Sequence, residues 1–423
     1  MIRKELFQKA LDCTINLVKS PLYLCEVRLN PKYFTREGKM NFVDLITFIL
    51  NLTKKSLQLE LDAFLKNVKG TEDTITKQAF SEARQKISPR AFQILFEENV
   101  KLFYTATDLK TYKGYRLLAI DGSTLELQNT EELRATFGYA ENNSALKVAR
   151  ARISGLYDLE NEFMIDAIIG RYDLDEREFA LEHIKKLQTY GLQKDLILFD
   201  RGYPSKNMIA VLAEAGIDYL MRVSTSFLKE VNGVKGRDEI VEFRYKGQNY
   251  KLRVIKIMLG TGEEEILITS ILDQSFSYSD FKVLYFKRWG IETKYHEFKT
   301  KLQLENFTGE KAIAVQQDFY ASMYLSNMVT LAKINTDEKI QARNKGKDLK
   351  YEYQTNTNIL IGKLKDRLVI MMLEPNERKR IKLFKEIAKE IARNTVPIRP
   401  ERQNERIKKK TRDRFPMNQK QCL

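Results

Sequence analysis

The chain has 423 residues, with 72 Lys and Arg against 57 Asp and Glu but only two His and three Cys. Cys13, Cys25, Cys422, His183 and His296 are scattered over the whole length, which excludes a zinc finger or Cys/His cluster, since such sites gather about four ligands, and also a disulfide framework. Any catalytic metal is therefore expected to be a hard cation held by oxygen, Mg²⁺ or Mn²⁺ on carboxylates. Much of the +15 net charge lies in Asn376 to Leu423, a segment suited to a polyanion such as nucleic acid or simply to solubility. No apolar run approaches the roughly eighteen residues of a membrane span. Glu5, Gln8, Lys9 and Asp12 break the apolar stretch a signal peptide needs, so a soluble, cytoplasmic protein is expected.

Residues 1–112 read as a helical region for DNA binding. Apolar residues recur at helical spacing in Phe42, Leu45, Ile46, Ile49 and Leu50 and in Leu57, Leu61, Phe64 and Leu65. Thr76 and Ser88-Pro89 mark two helix starts. The pair reads either as a helix-turn-helix that offers Arg84, Lys86 and Arg90 to phosphates or as a helical lobe with a basic surface.

From Arg116 the pattern changes. Leu117-Leu118-Ala119-Ile120 is a buried-type strand that ends in Asp121-Gly122-Ser123, and Ala145 to Tyr157 and Glu162 to Tyr172 complete a meander. A helix over Arg177 to Tyr190 follows, stopped by Gly191. A second buried-type strand, Asp195 to Asp200, is closed by Arg201-Gly202-Tyr203-Pro204. A further helix and the strand Tyr219 to Val223 complete a mixed sheet with flanking helices over 113–223. Residues 224–272 alternate between turn signals at Asn232-Gly233, Lys246-Gly247 and Gly260-Thr261-Gly262, which reads as a β-rich insertion. Ser279 to Gln303 reads as one long helix within 273–330. Residues 331–423 read as a helical, basic C-terminal region with a polar break near Asn335 to Lys350 and an irregular end.

Asp121 and Asp200 both stand where a buried strand gives way to a glycine turn, the place where α/β sheets line a ligand crevice. Taken singly, each also fits an ordinary turn. On a helix at about 100° per residue, positions 288, 292 and 299 fall about 60°, 20° and 40° to one side of 285. Tyr285, Arg288, Glu292 and Lys299 thus share a stripe, with His296 on it. Hydroxyl, cations and carboxylate side by side suit a phosphodiester held near a metal; the same stripe also reads as a solvated face with ion pairs.

The spacing Tyr285-x2-Arg288-x3-Glu292-x6-Lys299 resembles the Y-R-E-K signature of the insertion-sequence-four family of DDE transposases. Asp121-Gly122-Ser123-Thr124, Glu132-Leu133 with Phe137-Gly138, and Asp200-Arg201-Gly202-Tyr203 are similar to that family in the same order. The resemblance spans Arg116 to Phe307. It implies a ribonuclease-H-like core with a β-rich insertion before the catalytic glutamate. It also implies two Mg²⁺ ions, with Mn²⁺ as substitute, on Asp121, Asp200 and Glu292, and phosphate contacts from Tyr285, Arg288, Lys299 and Arg201. His296 and Trp289 are candidates for support. The implied partners are double-stranded DNA, both element ends and target, and a second copy of the chain in a synaptic complex. The implied activity is end binding, end cleavage and transfer of 3′-hydroxyls to target DNA. A nuclease of the same fold and a non-catalytic DNA-binding regulator remain as alternatives. Where cleavage passes through a DNA hairpin and a flipped base, Phe227, Tyr245 or Tyr250 would stack on that base, unless they pack the sheet. Two acidic runs, Asp173 to Glu178 and Glu263 to Glu265, read as solvated surface.

Overall fold

The computed structural model describes residues 5–399 except 37, 52–55, 107–108, 142–144, 192–193, 259–261 and 366. Most of the turn expected at 260–262 and residues 400–423 of the basic end lie outside the described residues. The chain packs as two compact units, one made of Leu109–Thr124 and Arg152–His296, the other of the remaining described residues.

The second of these is helical. It begins with α1 (Leu6–Val18), α2 (Pro21–Val27), α3 (Phe42–Ile49), α4 (Leu57–Ala63), α5 (Lys77–Arg84) and α6 (Arg90–Ala106). In α1 the buried set Leu6, Phe7, Ala10, Leu11, Ile15 and Val18 follows the 3.6-residue period. Thr76 caps α5 by accepting the N–H of Ala79, as its position predicts. The basic joint between α5 and α6 is not a free phosphate surface. Arg84 is 1 % exposed and gives its protons to Asp318 Oδ1 at 2.7 Å, Gln317 Oε1 at 2.9 Å and Thr308 Oγ1 at 2.7 Å. Arg90 is paired with Glu97 at 2.8 Å. Periodicity and charge cannot separate a buried arginine from an offered one, because both end a helix in the same way.

The other unit is built on a mixed sheet. Its elements in chain order are β1 (Arg116–Glu126), then, after α7 (Glu131–Phe137) and β2 (Tyr139–Glu141) of the helical unit, β3 (Lys147–Asp158), β4 (Phe163–Arg171), α8 (Glu176–Thr189), β5 (Asp195–Phe199), α9 (Lys206–Glu214) and β6 (Asp218–Val223). Next come the one-turn α10 (Lys229–Asn232), β7 (Asp238–Tyr245), β8 (Gln248–Met258), β9 (Glu264–Thr269), α11 (Tyr278–Lys287) and α12 (Trp289–Thr300). β3 flanks β1 and also pairs with β4; β1 lies beside β5 and β5 beside β6. The β1–β5 and β5–β6 pairings are parallel, so both faces of these strands need cover and their centres, Leu117–Ile120, Leu196–Phe199 and Tyr219–Met221, are apolar. A buried, bidentate Arg116–Asp195 ion pair, 2.6 and 2.9 Å, ties the first residues of β1 and β5 and fixes their register. α7 and β2 were not expected from the sequence.

The β-rich stretch over 224–272 continues this sheet. β9 runs antiparallel to β6 and β8, and β7 closes a hairpin with β8. Its turn is Lys246-Gly247, both at positive φ, the geometry a two-residue hairpin requires. The helix expected over Ser279 to Gln303 is two helices. Arg288 falls between α11 and α12; its N–H bonds to the Tyr285 carbonyl and its carbonyl to the Ile291 N–H, each at 3.2 Å, a tightened joint between the two helices.

The helical unit is completed by α13 (Ala312–Asn344), β10 (Tyr353–Thr355), α14 (Thr357–Leu364), α15 (Arg367–Leu373), α16 (Glu377–Ile391) and β11 (Thr395–Pro397), with β10 and β11 antiparallel. α13 is buried on nearly every side from Ala314 to Ala332, which marks a central helix. It runs unbroken to Asn344, so the polar break lies later than the sequence suggested. Glu132 accepts the N–H of Ala312 at 3.0 Å and pairs with Lys311 at 2.7 Å, which caps this helix at its positive end.

Candidate active site

The site grows from three backbone positions in the sheet unit. β1 stays buried through Ile120, is half-buried from Asp121 to Ser123, and continues to Glu126 without ending. Asp121 Oδ1 accepts the N–H of Gly122 at 2.9 Å. Asp200 follows the fully buried β5 directly, and its Oδ1 accepts the N–H of Gly202 at 2.7 Å. Because β1 and β5 are adjacent parallel strands, the two aspartates emerge side by side. Glu292 sits in the first turn of α12.

Arg288 binds this group together. Its Nη2 donates to Glu292 Oε1 at 2.7 Å and its Nη1 stands 3.7 Å from Asp121 Oδ2, with the arginine 6 % exposed. The Asp121 carboxyl is pushed up to about 7, mainly by burial, against the pull of Arg288 and with further pushes from the charges of Asp200 and Glu292. Two carboxylates held by one guanidinium, with the Asp200 charge acting on Asp121 beside them, describe a site adapted to concentrated positive charge. Tyr285, 6 % exposed, has no hydrogen-bond partner for its hydroxyl, and Arg288 Nε likewise has none, among the described residues. Burial pushes the Tyr285 hydroxyl up to about 12, so it remains a donor.

The remaining expected residues are more dispersed. Lys299 lies on the last turn of α12, within the helical unit, 3.4 Å from Glu305. His296 and Arg201 are exposed. Trp289 is 40 % exposed. It flanks Arg288, whose guanidinium carbon is 5.5 Å from the indole centre. Phe243 and Tyr250 stack at 5.4 Å, so Tyr250 belongs to the sheet.

Sequence reasoning missed two features. Glu176, read as solvated surface, pairs with Arg152 at 2.7 Å and sits so close to Gly122 that a Cβ there would lie 3.0 Å from its Oε1. Burial first, and the Asp200 charge after it, raise its carboxyl above the usual range while Arg152 lowers it. The glycine after Asp121 is thus a space requirement, and Glu176 a fourth carboxylate beside the three. The second is a cleft of about 470 Å³ bounded by Tyr285, Phe286, Arg288, Trp289, Arg222 and Ile257. Phe286, 73 % exposed, and Trp289 form an unusual aromatic rim, visible in the sequence only as two aromatics around Lys287-Arg288.

Among the described residues no three His, Cys, Asp or Glu side chains are placed so as to enclose a metal ion. The donor chemistry of Asp121, Asp200 and Glu292 nonetheless fits a hard cation, with oxygen ligands only and two of the carboxylates already drawn to one cationic group.

The strand order β4-β3-β1-β5-β6 with flanking helices defines a ribonuclease-H-like domain. Residues 112–328 match the transposase DDE domain model, and the chain belongs to that family. The transposase InsG of insertion sequence element IS4 from Escherichia coli K12 is 24 % identical over 290 residues, spanning 64 % of this chain and 64 % of InsG. The piggyBac transposase, solved by cryo-EM in a synaptic complex with hairpin DNA, has the same fold at a TM-score of 0.50 and 11 % identity, covering 92 % of this chain and 87 % of that one. No helix among the described residues is long and apolar enough to cross a membrane.

Proposed function

We propose that the chain is a DNA transposase that binds the terminal inverted repeats of an insertion sequence, cuts at the element ends and joins the freed 3′-hydroxyls to target DNA. The observation that carries this reading is Arg288 held between Asp121 and Glu292, with Asp200 beside Asp121 on adjacent parallel strands of a ribonuclease-H-like sheet. Two Mg²⁺ ions, or Mn²⁺ in their place, held by these carboxylates would supply Lewis acidity at the scissile phosphate and an activated water or 3′-hydroxyl.

The chain's own residues do the rest. Arg288 has a fork that can take a phosphate bidentately, and its Nε is still to be bonded. Tyr285 offers a second donor beside it. Lys299 and Arg201 add charge for the strand on either side of the cut, with His296 as support. Asp121, its carboxyl raised to about 7 mainly by burial, would be held as the carboxylate once cations were bound. Were cleavage to pass through a hairpin, the cleft rimmed by Phe286 and Trp289 is where an extruded base would stack, in preference to Phe227, Tyr245 or Tyr250. Residues 1–112 and the basic C-terminal region would hold more of the duplex, and synapsis of two ends would bring two copies of the chain together.

The test is cleavage of a labelled fragment of the element's end by the purified full chain with Mg²⁺. A cut at the element boundary is expected, and Glu292→Ala should bind the fragment without cutting it. Binding with no cleavage by the unmutated chain sinks the enzyme reading and leaves the regulator; cleavage with no joined product leaves the nuclease.

A further inference from the structure

Tyr295 lies three residues beyond Glu292 on α12 and is 7 % exposed. Its hydroxyl donates to the main-chain carbonyl of Asp121 at 2.7 Å and accepts the backbone N–H of Gly155. One side-chain oxygen therefore serves a carbonyl of β1 and an amide of its neighbour β3, standing between two strands at the residue that carries the first carboxylate. The space is made by Gly155, since a Cβ there would lie 3.1 Å from the tyrosine oxygen and 3.2 Å from Met164 Sδ. Ser154 Oγ reaches the same carbonyl at 3.4 Å. It is backed by His183 at 3.0 Å, which is held in turn by Asp166 at 2.7 Å.

We propose that Tyr295 is a positioning residue: its hydroxyl is the strut that sets the strand of Asp121 against the helix of Glu292, and so the distance between the two carboxylates. This rests on the reading of Asp121, Asp200 and Glu292 as the metal-holding set. Tyr295 touches neither substrate nor metal, because its donor and acceptor capacity is spent on backbone. The effect is expected to be large for so small a group. Groups that orient ligand-bearing elements alter metal affinity by about 10–100-fold when removed, and a site must be held to about 0.5 Å. Loss of the hydroxyl alone would leave the Asp121 carbonyl with only the longer Ser154 contact and take from the Gly155 amide its acceptor on Tyr295.

The experiment is a Mn²⁺ titration of the full chain, read by the electron paramagnetic resonance signal of the free ion, for the parent, Tyr295→Phe and Gly155→Ala. Tyr295→Phe should keep the circular dichroism spectrum of the parent and weaken Mn²⁺ binding by about 10-fold or more. Gly155→Ala, which pushes on the same oxygen without touching the tyrosine, should weaken it too and serves as the second variant should the first unfold. A lowered melting temperature with unchanged Mn²⁺ affinity in the folded variants overturns the proposal, because a merely structural tyrosine would behave that way. A parent that binds no Mn²⁺ overturns instead the carboxylate reading beneath it.

Discussion

Arg288 Nη2 donates a hydrogen bond to Glu292 Oε1 at 2.7 Å across the joint between two helices, four residues apart in the chain. The pairing is an ordinary i to i+4 spacing in sequence, yet it is made at a break, with the arginine sunk into the sheet unit and Asp121 on its other side. The guanidinium is thus a fixed positive charge inside the group of carboxylates, and it cannot be exchanged for an ammonium at no cost.

Arg288→Lys should lower end cleavage by about 10²–10³-fold, the usual effect of removing one preorganised donor from a charge-stabilising site, because lysine keeps the charge but loses the fork. Single-turnover cleavage of the labelled end measures it. Parent-like rates in the lysine variant would show that charge alone is enough.

Asp121 has its carboxyl raised from an ordinary 3.8 to about 7 in the folded chain, so the folded state holds a proton that the unfolded state releases between those values. The stability it contributes is full below about pH 4, declines as pH rises to about 7, and is flat above, by the linkage between proton binding and unfolding. In chelator, thermal melts of the parent should therefore fall across this window, by an amount on the order of a few kcal/mol. Asp121→Asn should flatten the curve. An equal slope in the variant would assign the proton to another group.

Arg84→Ala should cost about 3–5 kcal/mol of stability, since it leaves Asp318 without its buried counter-charge. Denaturant unfolding reads this directly. The sequence reading of Arg84 as a phosphate contact makes the opposite prediction, namely intact stability with weaker DNA binding and a shallower salt dependence.

Phe286→Ala and Trp289→Ala should each slow cleavage of a normal end by about 5–150-fold, the equivalent of the ~1–3 kcal/mol of one base-on-aromatic stack. An end with an abasic site at the extruded position should be cut equally by variant and parent. Slow cleavage of both ends would point to a packing role for the ring.

Much of the sheet unit was readable in the chain. Buried parallel strands need continuous apolar runs, so Leu117 to Ile120 and Leu196 to Phe199 announce themselves, and the residues that end each buried run are few enough to single out Asp121 and Asp200. The order of these carboxylates along the chain is itself a property of the sequence. What only the tertiary structure decided depends on contacts between segments far apart in the chain. Local pattern gave no sign that Arg84 was buried against Asp318, that Glu176 stood by Gly122, that the helix broke at Arg288, or that the Tyr295 hydroxyl bridged two strands. Each of these is settled by which polar group finds a partner once water is excluded, and that choice is made by the whole fold.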